Sequence, residues 1–311
     1  MDISESIIQT QQSLEASDVF YGHGTDNSAD EALWLVQAAF AAVSPDSEIT
    51  ADTRVSVEFQ NQLDEYLKLR IEQHTPVAYI TGEVWFCDLA FKVSPAVLVP
   101  RSPIAELIRE GFQPWVVLDP GSKILDLCTG SACIACAIAV YLPDSRVEAA
   151  DISTDALQLA RENSAQHNLS ERLKIIHSDL FSALEGKKYQ LIVSNPPYVS
   201  NAEYADLPAE YLQEPKLGLT SGADGLDLVV QMLAEAADYL NADGVLICEV
   251  GASQAALESV FPQLPFLWLE FTRGGEGVFI LQRDQLVAAK QDIMQEQIKR
   301  HRNTLNRQAD R

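Results

Sequence analysis

The residue types best suited to chemistry stand together in one tetrapeptide, Asn195-Pro196-Pro197-Tyr198. It follows the apolar run 189–194, which predicts a buried parallel strand. Two prolines remove two N–H donors and fix two φ angles, and Pro196 holds Asn195 extended, so we predict a stiff ledge at the carboxyl end of that strand. Its amide and bare carbonyl groups can orient both N–H hydrogens of a planar amide or aromatic amine while Tyr198 stacks on the plane. A proline turn without function is the alternative interpretation.

An earlier segment also has the pattern of a ligand site. The run 124–127 predicts a strand that contains Asp126, and a tight turn and a helix start follow it at Cys128, Thr129, Gly130 and Ser131. Backbone N–H groups at such a turn favour anions and carboxylates. A dinucleotide site would need three glycines in the pattern G-x-G-x-x-G, whereas this turn has one, so pyrophosphate binding is disfavoured.

Two more carboxylates follow predicted strands. Asp151 comes after the run 146–150, where a carboxylate accepts hydrogen bonds from ribose hydroxyls, and Asp179 comes after the run 173–176. Carboxyl ends of parallel strands share one edge of a sheet. We therefore expect Asp126, Asp151, Asp179 and the tetrapeptide to lie at one edge.

The elements that must position these residues divide the sequence into four parts. Residues 1–75 have the apolar spacing of helices and predict a helical domain, and residues 76–113 predict a hairpin linker with a connecting helix, in which Tyr79-Ile80 counts as strand. Residues 114–283 alternate strand and helix, which predicts a seven-stranded, doubly wound α/β sheet that ends in an antiparallel hairpin. Within them, the roughly 30-residue loop after the tetrapeptide is expected to be a lid or binding loop. Residues 284–311 predict a polar helical tail.

Composition limits the class of protein and its partners. The formal net charge is -23, from 22 basic and 45 acidic residues, which disfavours a grip on nucleic acid and favours a basic partner. No apolar stretch is long enough for a membrane span, and the N-terminus lacks the basic region of a secretory signal. Five scattered cysteines favour a reducing compartment, so we expect a cytoplasmic protein without membrane association.

Metal and redox chemistry find little support in the sequence. Cys133 and Cys136 form a C-x-x-C pattern, but both fall inside the first predicted helix of the sheet domain and no second pair has ligand spacing. We interpret them as core residues. The five histidines show neither metal-ligand spacing nor a triad partner, so no metal site is predicted.

Six segments in order carry a resemblance to a known family. Over roughly residues 76 to 282 the sequence resembles the HemK family of protein glutamine methyltransferases. The segments are Leu98-Val99-Pro100-Arg101-Ser102-Pro103, the turn 126–131, the tetrapeptide, Glu214-Pro215, Gly222-Ala223-Asp224-Gly225-Leu226-Asp227 and Glu249-Val250-Gly251. Cys128, Ser131 and the Arg-Ser-Pro-Ile form at Arg101 are similar to the branch that methylates the third protein of the large ribosomal subunit.

The resemblance implies a fold, a cofactor and roles for residues. The fold would be that of a class I methyltransferase, Rossmann-like, with S-adenosylmethionine over the turn that follows Asp126 and a helical N-terminal domain that binds the substrate. The cofactor-binding residues would be Asp126, Cys128, Thr129, Gly130, Ser131, Asp151, Ile152, Asp179, Leu180 and Asn195, and the catalytic residues Asn195, Pro196, Pro197 and Tyr198. Ala132 stands where the family usually has glycine.

Three other functions stay open at this point. The sister branch of the family methylates peptide-chain release factors and differs at Cys128 and after Arg101. A DNA adenine methyltransferase shares the tetrapeptide but would need a basic surface. A non-catalytic assembly factor that binds a basic ribosomal protein would need neither the turn nor the tetrapeptide intact.

Overall fold

The computed structural model describes residues 1–309, with side chains through residue 303. The chain forms two compact units. The first comprises residues 1–85, 92–101 and 207–215, and the second comprises residues 86–91, 102–206 and 216–311. The predicted boundaries were continuous segments, whereas here residues 207–215 leave the predicted methyltransferase domain and join the helical unit. Domains predicted as continuous segments of sequence cannot include a unit built from three separate segments.

Four helices build the first unit: α1 (Ile3–Glu15), α2 (Ser28–Val43), α3 (Val57–Glu72) and α4 (Val77–Thr81). Asp2, Asn27 and Ser56 cap the first three by accepting a hydrogen bond from a first-turn N–H group. The predicted apolar stripes are buried together, with the rings of Phe40 and Phe59 in edge contact at 6.4 Å between centroids.

The assignment of Tyr79-Ile80 to a strand was wrong, because both residues lie in α4. Pro76 occupies the N-cap, where its missing N–H costs nothing, and Gly82 ends the helix in the left-handed conformation at φ 74°. The hairpin consists of β1 (Glu83–Phe86) and β2 (Leu89–Lys92) alone.

The second unit continues with α5 and then alternates strands with helices. Its first elements are α5 (Ile104–Arg109), β3 (Lys123–Leu127), α6 (Cys133–Tyr141), β4 (Arg146–Asp151), α7 (Thr154–Gln166), β5 (Leu173–His177) and β6 (Tyr189–Ser194). The later elements are α8 (Asn201–Ala205), α9 (Lys216–Leu219), α10 (Asp227–Ala236), β7 (Leu240–Glu249), α11 (Gln254–Val260), β8 (Leu267–Trp268), β9 (Val278–Gln282) and α12 (Arg283–Ala309).

The sheet has seven strands in the order β5-β4-β3-β6-β7-β9-β8. The first five are parallel, whereas β9 runs antiparallel to β7 and β8 antiparallel to β9. This confirms the doubly wound α/β fold with a final antiparallel hairpin. Among the described residues, no helix combines the length and apolar character that a bilayer crossing requires.

Two boundaries differ from the prediction for local reasons. The apolar pattern of the sequence predicts a helix over residues 224–240, whereas α10 begins only at Asp227, because Gly222 and Gly225 both adopt φ 78° and keep residues 222–225 in a turn. It ends at Ala236 because Leu240, assigned to the helix, instead pairs with Tyr189 at the start of β7. The roughly 30-residue loop before it is partly ordered into α8, α9 and a 3-10 helix at Tyr211–Gln213.

Candidate active site

The register of the parallel strands brings the predicted site residues to one edge. Leu127 at the end of β3 pairs with Ala150 of β4 on one side and with Ser194 of β6 on the other. Asp151 pairs with His177 at the end of β5. The turn at 128–132, Asp151, residues 178–180 and the tetrapeptide therefore all follow strand ends at the carboxyl edge of the sheet.

The turn after β3 has an unusual backbone. Cys128, Gly130 and Ala132 adopt left-handed φ angles of 62°, 55° and 61°. A left-handed conformation costs a residue with a Cβ about 1–2 kcal/mol, so Cys128 and Ala132 hold strain that glycine would not have. The Thr129 N–H donates to the Ala150 carbonyl at 3.0 Å. Ser131 is buried, and its carbonyl accepts a hydrogen bond from Asn163 of α7 at 2.9 Å, which joins the turn to that helix.

Asp126 lies beneath this turn and is 1% exposed. Its Oδ2 atom accepts hydrogen bonds from the Thr129 hydroxyl at 2.5 Å and from the Ala135 N–H at 3.1 Å. Burial raises the pKa of Asp126 to about 7, against the lowering effect of these two bonds. Its Oδ1 atom is buried and accepts no hydrogen bond from the described residues. The site therefore contains a buried carboxylate oxygen suited to a cationic or hydrogen-donating ligand group.

The carboxylate of Asp151, the last residue of β4, forms a hydrogen bond with the turn after β3. One carboxylate oxygen accepts the Gly130 N–H at 2.9 Å, and the other accepts the Ser153 N–H at 2.9 Å. Burial raises the pKa of Asp151, and the backbone hydrogen bonds oppose that rise. Each carboxylate oxygen retains a second lone pair, so these bonds leave capacity for ligand hydroxyls. Ile152 beside it is 47% exposed, an apolar surface at the edge of the site.

The two residues after β5 differ in exposure. Asp179 is exposed, and its N–H donates to the Ser182 hydroxyl at 3.2 Å. Leu180 is 4% exposed, adopts φ 42°, and accepts the Ser178 hydroxyl at its carbonyl. Asp179 can thus present a carboxylate to a ligand, whereas Leu180 can contribute mainly backbone.

The tetrapeptide leaves β6 at a fixed point, because the Ser194 hydroxyl donates to the Leu127 carbonyl at 2.5 Å. Asn195 is half-buried, and its amide makes no hydrogen bond to any described side chain or backbone group. Pro196 is buried, and Pro197 and Tyr198 are half-buried. The amide of Asn195 is therefore available to a ligand at the edge of the sheet.

Tyr198 is held at its ring, its hydroxyl and its carbonyl. The hydroxyl donates to Oε1 of Glu249 at 3.1 Å, and Oε2 of Glu249 accepts the Ser102 hydroxyl at 2.5 Å. The carbonyl accepts the Ser253 hydroxyl at 2.8 Å. A Cβ on Gly251 would lie 2.7 Å from the ring, so only glycine permits this approach. We call Ser102, Glu249 and Tyr198, joined by these hydroxyl–carboxylate bonds, the tyrosine clamp.

Two clamp residues, Ser102 and Glu249, were absent from the predicted site. Both belong to segments that carried the family resemblance, and that position was the only signal in the sequence. Glu214, from a third such segment, belongs to the helical unit. It accepts both Arg101 nitrogens at 2.6 Å and the Val99 N–H at 2.9 Å. Burial raises its pKa, but the Arg101 bonds dominate and hold it at about 2.

The cysteines pack as the sequence predicted. Cys133 and Cys136 lie in α6 with 9% and 0% exposure, and all five cysteines are free. Within residues 1–309, the structure contains no group of three or more His, Cys, Asp or Glu side chains arranged to hold a metal ion.

Comparison with known proteins identifies the class and then the family. The family model of the methyltransferase small domain matches residues 115–264. A ribosomal protein uL3 glutamine methyltransferase from Francisella tularensis is 43% identical over 89% of this chain and 88% of its own length. One from Xylella fastidiosa is 46% identical over 86% of each chain. Among solved structures, a methyltransferase from Pyrococcus furiosus has 20% identity and a TM-score of 0.45, over 62% of this chain and 88% of its own.

This chain is a methyltransferase, and it belongs to the family of ribosomal protein uL3 glutamine methyltransferases. The resemblance to glutamine methyltransferases, and to their ribosomal branch, is thereby confirmed.

Proposed function

We propose that this enzyme transfers a methyl group from S-adenosylmethionine to the side-chain amide nitrogen of a glutamine in ribosomal protein uL3. The observation that carries the proposal is the position of the Asn195 amide. It follows β6 at the edge where the turn after β3 also ends, and it has no hydrogen bond within residues 1–309. The names of relatives with 43% and 46% identity supply the substrate.

The residues at the strand ends fit the cofactor. The buried, unpaired Oδ1 of Asp126 suits a cationic amino group, and open space beside Gly130 lets a ligand approach the backbone. The spare lone pairs of Asp151 suit ribose hydroxyls, and exposed Ile152 suits the face of an adenine ring. In our proposal Cys128, Thr129, Ser131 and Leu180 contribute backbone contacts, and Asp179 contributes a carboxylate. When bound, S-adenosylmethionine supplies an electrophilic methyl group on its sulfonium.

The acceptor needs orientation more than a base. An amide nitrogen is a poor nucleophile because its lone pair is delocalised into the carbonyl group. Asn195 and the Pro196 carbonyl would accept the two N–H hydrogens of the glutamine and aim its nitrogen. Their partial negative charge would offset the positive charge that develops on nitrogen during transfer. Pro197 keeps this ledge stiff, and the ring of Tyr198, fixed by the tyrosine clamp, would stack on the amide plane.

The charge distribution supports a basic protein as substrate. The helical unit has about one third of the residues but 17 acidic and only 5 basic side chains. Such a field attracts a basic ribosomal protein and repels nucleic acid. We propose that this unit, including the predicted substrate-binding residues 1–75, docks the substrate, in the cytoplasm and without nucleic acid or membrane.

A panel of three substrates tests the proposal. Purified uL3, a peptide-chain release factor and duplex DNA are each incubated with enzyme and methyl-labelled S-adenosylmethionine. We expect strong labelling of uL3, located to one glutamine side chain by fragmentation mass spectrometry. Labelling of the release factor alone would move the enzyme to the sister branch. Labelling of DNA alone would exclude a protein substrate.

A further inference from the structure

Arg300 connects the C-terminal helix with the loop that follows the tetrapeptide. Arg300 of α12 donates to both carboxylate oxygens of Asp224 at 2.7 and 2.8 Å and to Asp227 at 3.0 Å. Glu296, one turn earlier, lies 3.1 Å from Nε of Arg300. The side chain of Arg300 is only 13% exposed. A planar guanidinium with a two-point contact fixes orientation as well as distance.

The segment that Arg300 holds touches the tetrapeptide. A Cβ on Gly225 would lie 2.0 Å from the carbonyl oxygen of Tyr198, so the two backbones are in direct contact there. The Gly222 carbonyl accepts the Asn201 N–H at 2.9 Å, and the Val199 carbonyl accepts the Ser221 N–H at 3.0 Å. We call residues 221–227 the support turn. The support turn contacts the backbone of Tyr198 and of the residues that follow it, whereas Glu249 binds the hydroxyl at the other end of the Tyr198 side chain.

We propose that Arg300 is a positioning residue for methyl transfer: it fixes the support turn and thereby the backbone of Tyr198. The inference rests on the proposed function, because its effect on catalysis is measured as the rate of uL3 methylation. It assigns a role to α12, which lies beyond the roughly 76 to 282 stretch that resembles other glutamine methyltransferases. Arg300 itself touches neither substrate nor cofactor in this scheme.

The packing of α12 separates this role from general stability. Leu286 and Ile293, earlier on the helix, are 1% and 0% exposed and belong to the main core. Arg300 lies two turns beyond Ile293, where it pairs with the carboxylates of Asp224, Asp227 and Glu296. Removing its guanidinium therefore leaves the buried face of α12 intact.

The test compares Arg300→Ala and Arg300→Lys with Lys299→Ala in the full-length enzyme. Lys299 is a matched control because it also pairs with Glu296, at 2.8 Å, and is 67% exposed. We expect Arg300→Ala to lower kcat for uL3 methylation by about 10-fold to 100-fold, since small misplacements of reacting groups have effects of that size. KM for cofactor and for uL3 should change less than about threefold. Arg300→Lys should recover part of the rate, and Lys299→Ala should match wild type.

Hydrogen exchange gives a readout that does not need activity. In Arg300→Ala the amides of Asn201 and Ser221 should exchange at least about 10-fold faster. The Asn201 N–H donates to Gly222 of the support turn, and the N–H of Ser221, itself in the support turn, donates to Val199. A wild-type kcat, or faster exchange confined to residues 224–227 and α12, would overturn the inference. If the wild-type enzyme fails to methylate uL3, the proposed function fails, and the exchange experiment still decides whether Arg300 fixes the support turn.

Discussion

The hydrogen bond from the Tyr198 hydroxyl to Glu249 gives the sharpest quantitative prediction about the site. The perturbation is Tyr198→Phe, which keeps the aromatic ring and removes only the donor to Oε1 of Glu249 at 3.1 Å. A hydrogen bond to a charged group contributes about 1.5–3 kcal/mol. Tyr198 is half-buried, so we take the lower end, about 1.5 kcal/mol, of that range.

The same energy sets the expected loss of rate. We assume that the hydrogen bond stabilises the transition state of methyl transfer and not the bound substrate. Each increase of about 1.4 kcal/mol in the activation free energy lowers the rate constant 10-fold. We therefore expect Tyr198→Phe to slow single-turnover methylation of uL3 about 10-fold. Cofactor affinity should stay within about twofold, because the hydroxyl points to Glu249 and not to the turn after β3.

A double-mutant cycle isolates this bond. Glu249→Leu removes the acceptor at similar side-chain size, and the double variant Tyr198→Phe with Glu249→Leu should be little slower than the worse single variant, with a coupling energy of about 1–2 kcal/mol. Tyr204→Phe is the control, since no hydrogen bond of the Tyr204 hydroxyl occurs among the described residues. If the fold-losses in rate of the two single variants multiply in the double variant, the two side chains act independently and the tyrosine clamp is refuted.

Two further predictions concern the cofactor. Asp151→Ala should weaken S-adenosylmethionine binding by about 1.5–3 kcal/mol, because it removes hydroxyl acceptors and also the bond to the Gly130 N–H; unchanged affinity in calorimetry would exclude Asp151 from the site. Burial raises the pKa of Asp126 to about 7, and a cationic ligand group at Oδ1 should lower it, so binding should release a proton below pH 7. Affinity should then rise with pH up to about 7 and level off, and Asp126→Asn should lose this dependence; equal pH profiles for the two proteins would contradict it.

Sequence alone predicted the edge of the sheet well, for a physical reason. Parallel strands end on one side, so residues just after successive apolar runs must meet, as Asp151 and Asn195 do on either side of the turn after β3. Strand identity failed at Tyr79-Ile80, where Pro76 and Gly82 frame a five-residue helix with apolar residues that also suit a strand.

Long-range pairs could not be predicted from one sequence. Glu249 lies 51 residues from Tyr198 and 147 from Ser102 along the chain, and no periodicity relates them. The same applies to residues 207–215, whose place in the helical unit depends on bonds such as Glu214 to Arg101, 113 residues apart. Gly225 and Gly251 both make close approaches to Tyr198, but their role as contact points is evident only in the structure.

The most direct test of the account is single-turnover methylation of uL3 by Asn195→Ala. The central claim is that the Asn195 amide orients the glutamine nitrogen and balances its developing charge. Loss of one such contact typically slows a reaction about 100-fold or more. We predict that decrease in the rate constant, with S-adenosylmethionine affinity within a few-fold of wild type by calorimetry. A variant that methylates uL3 at near the wild-type rate would contradict the claim.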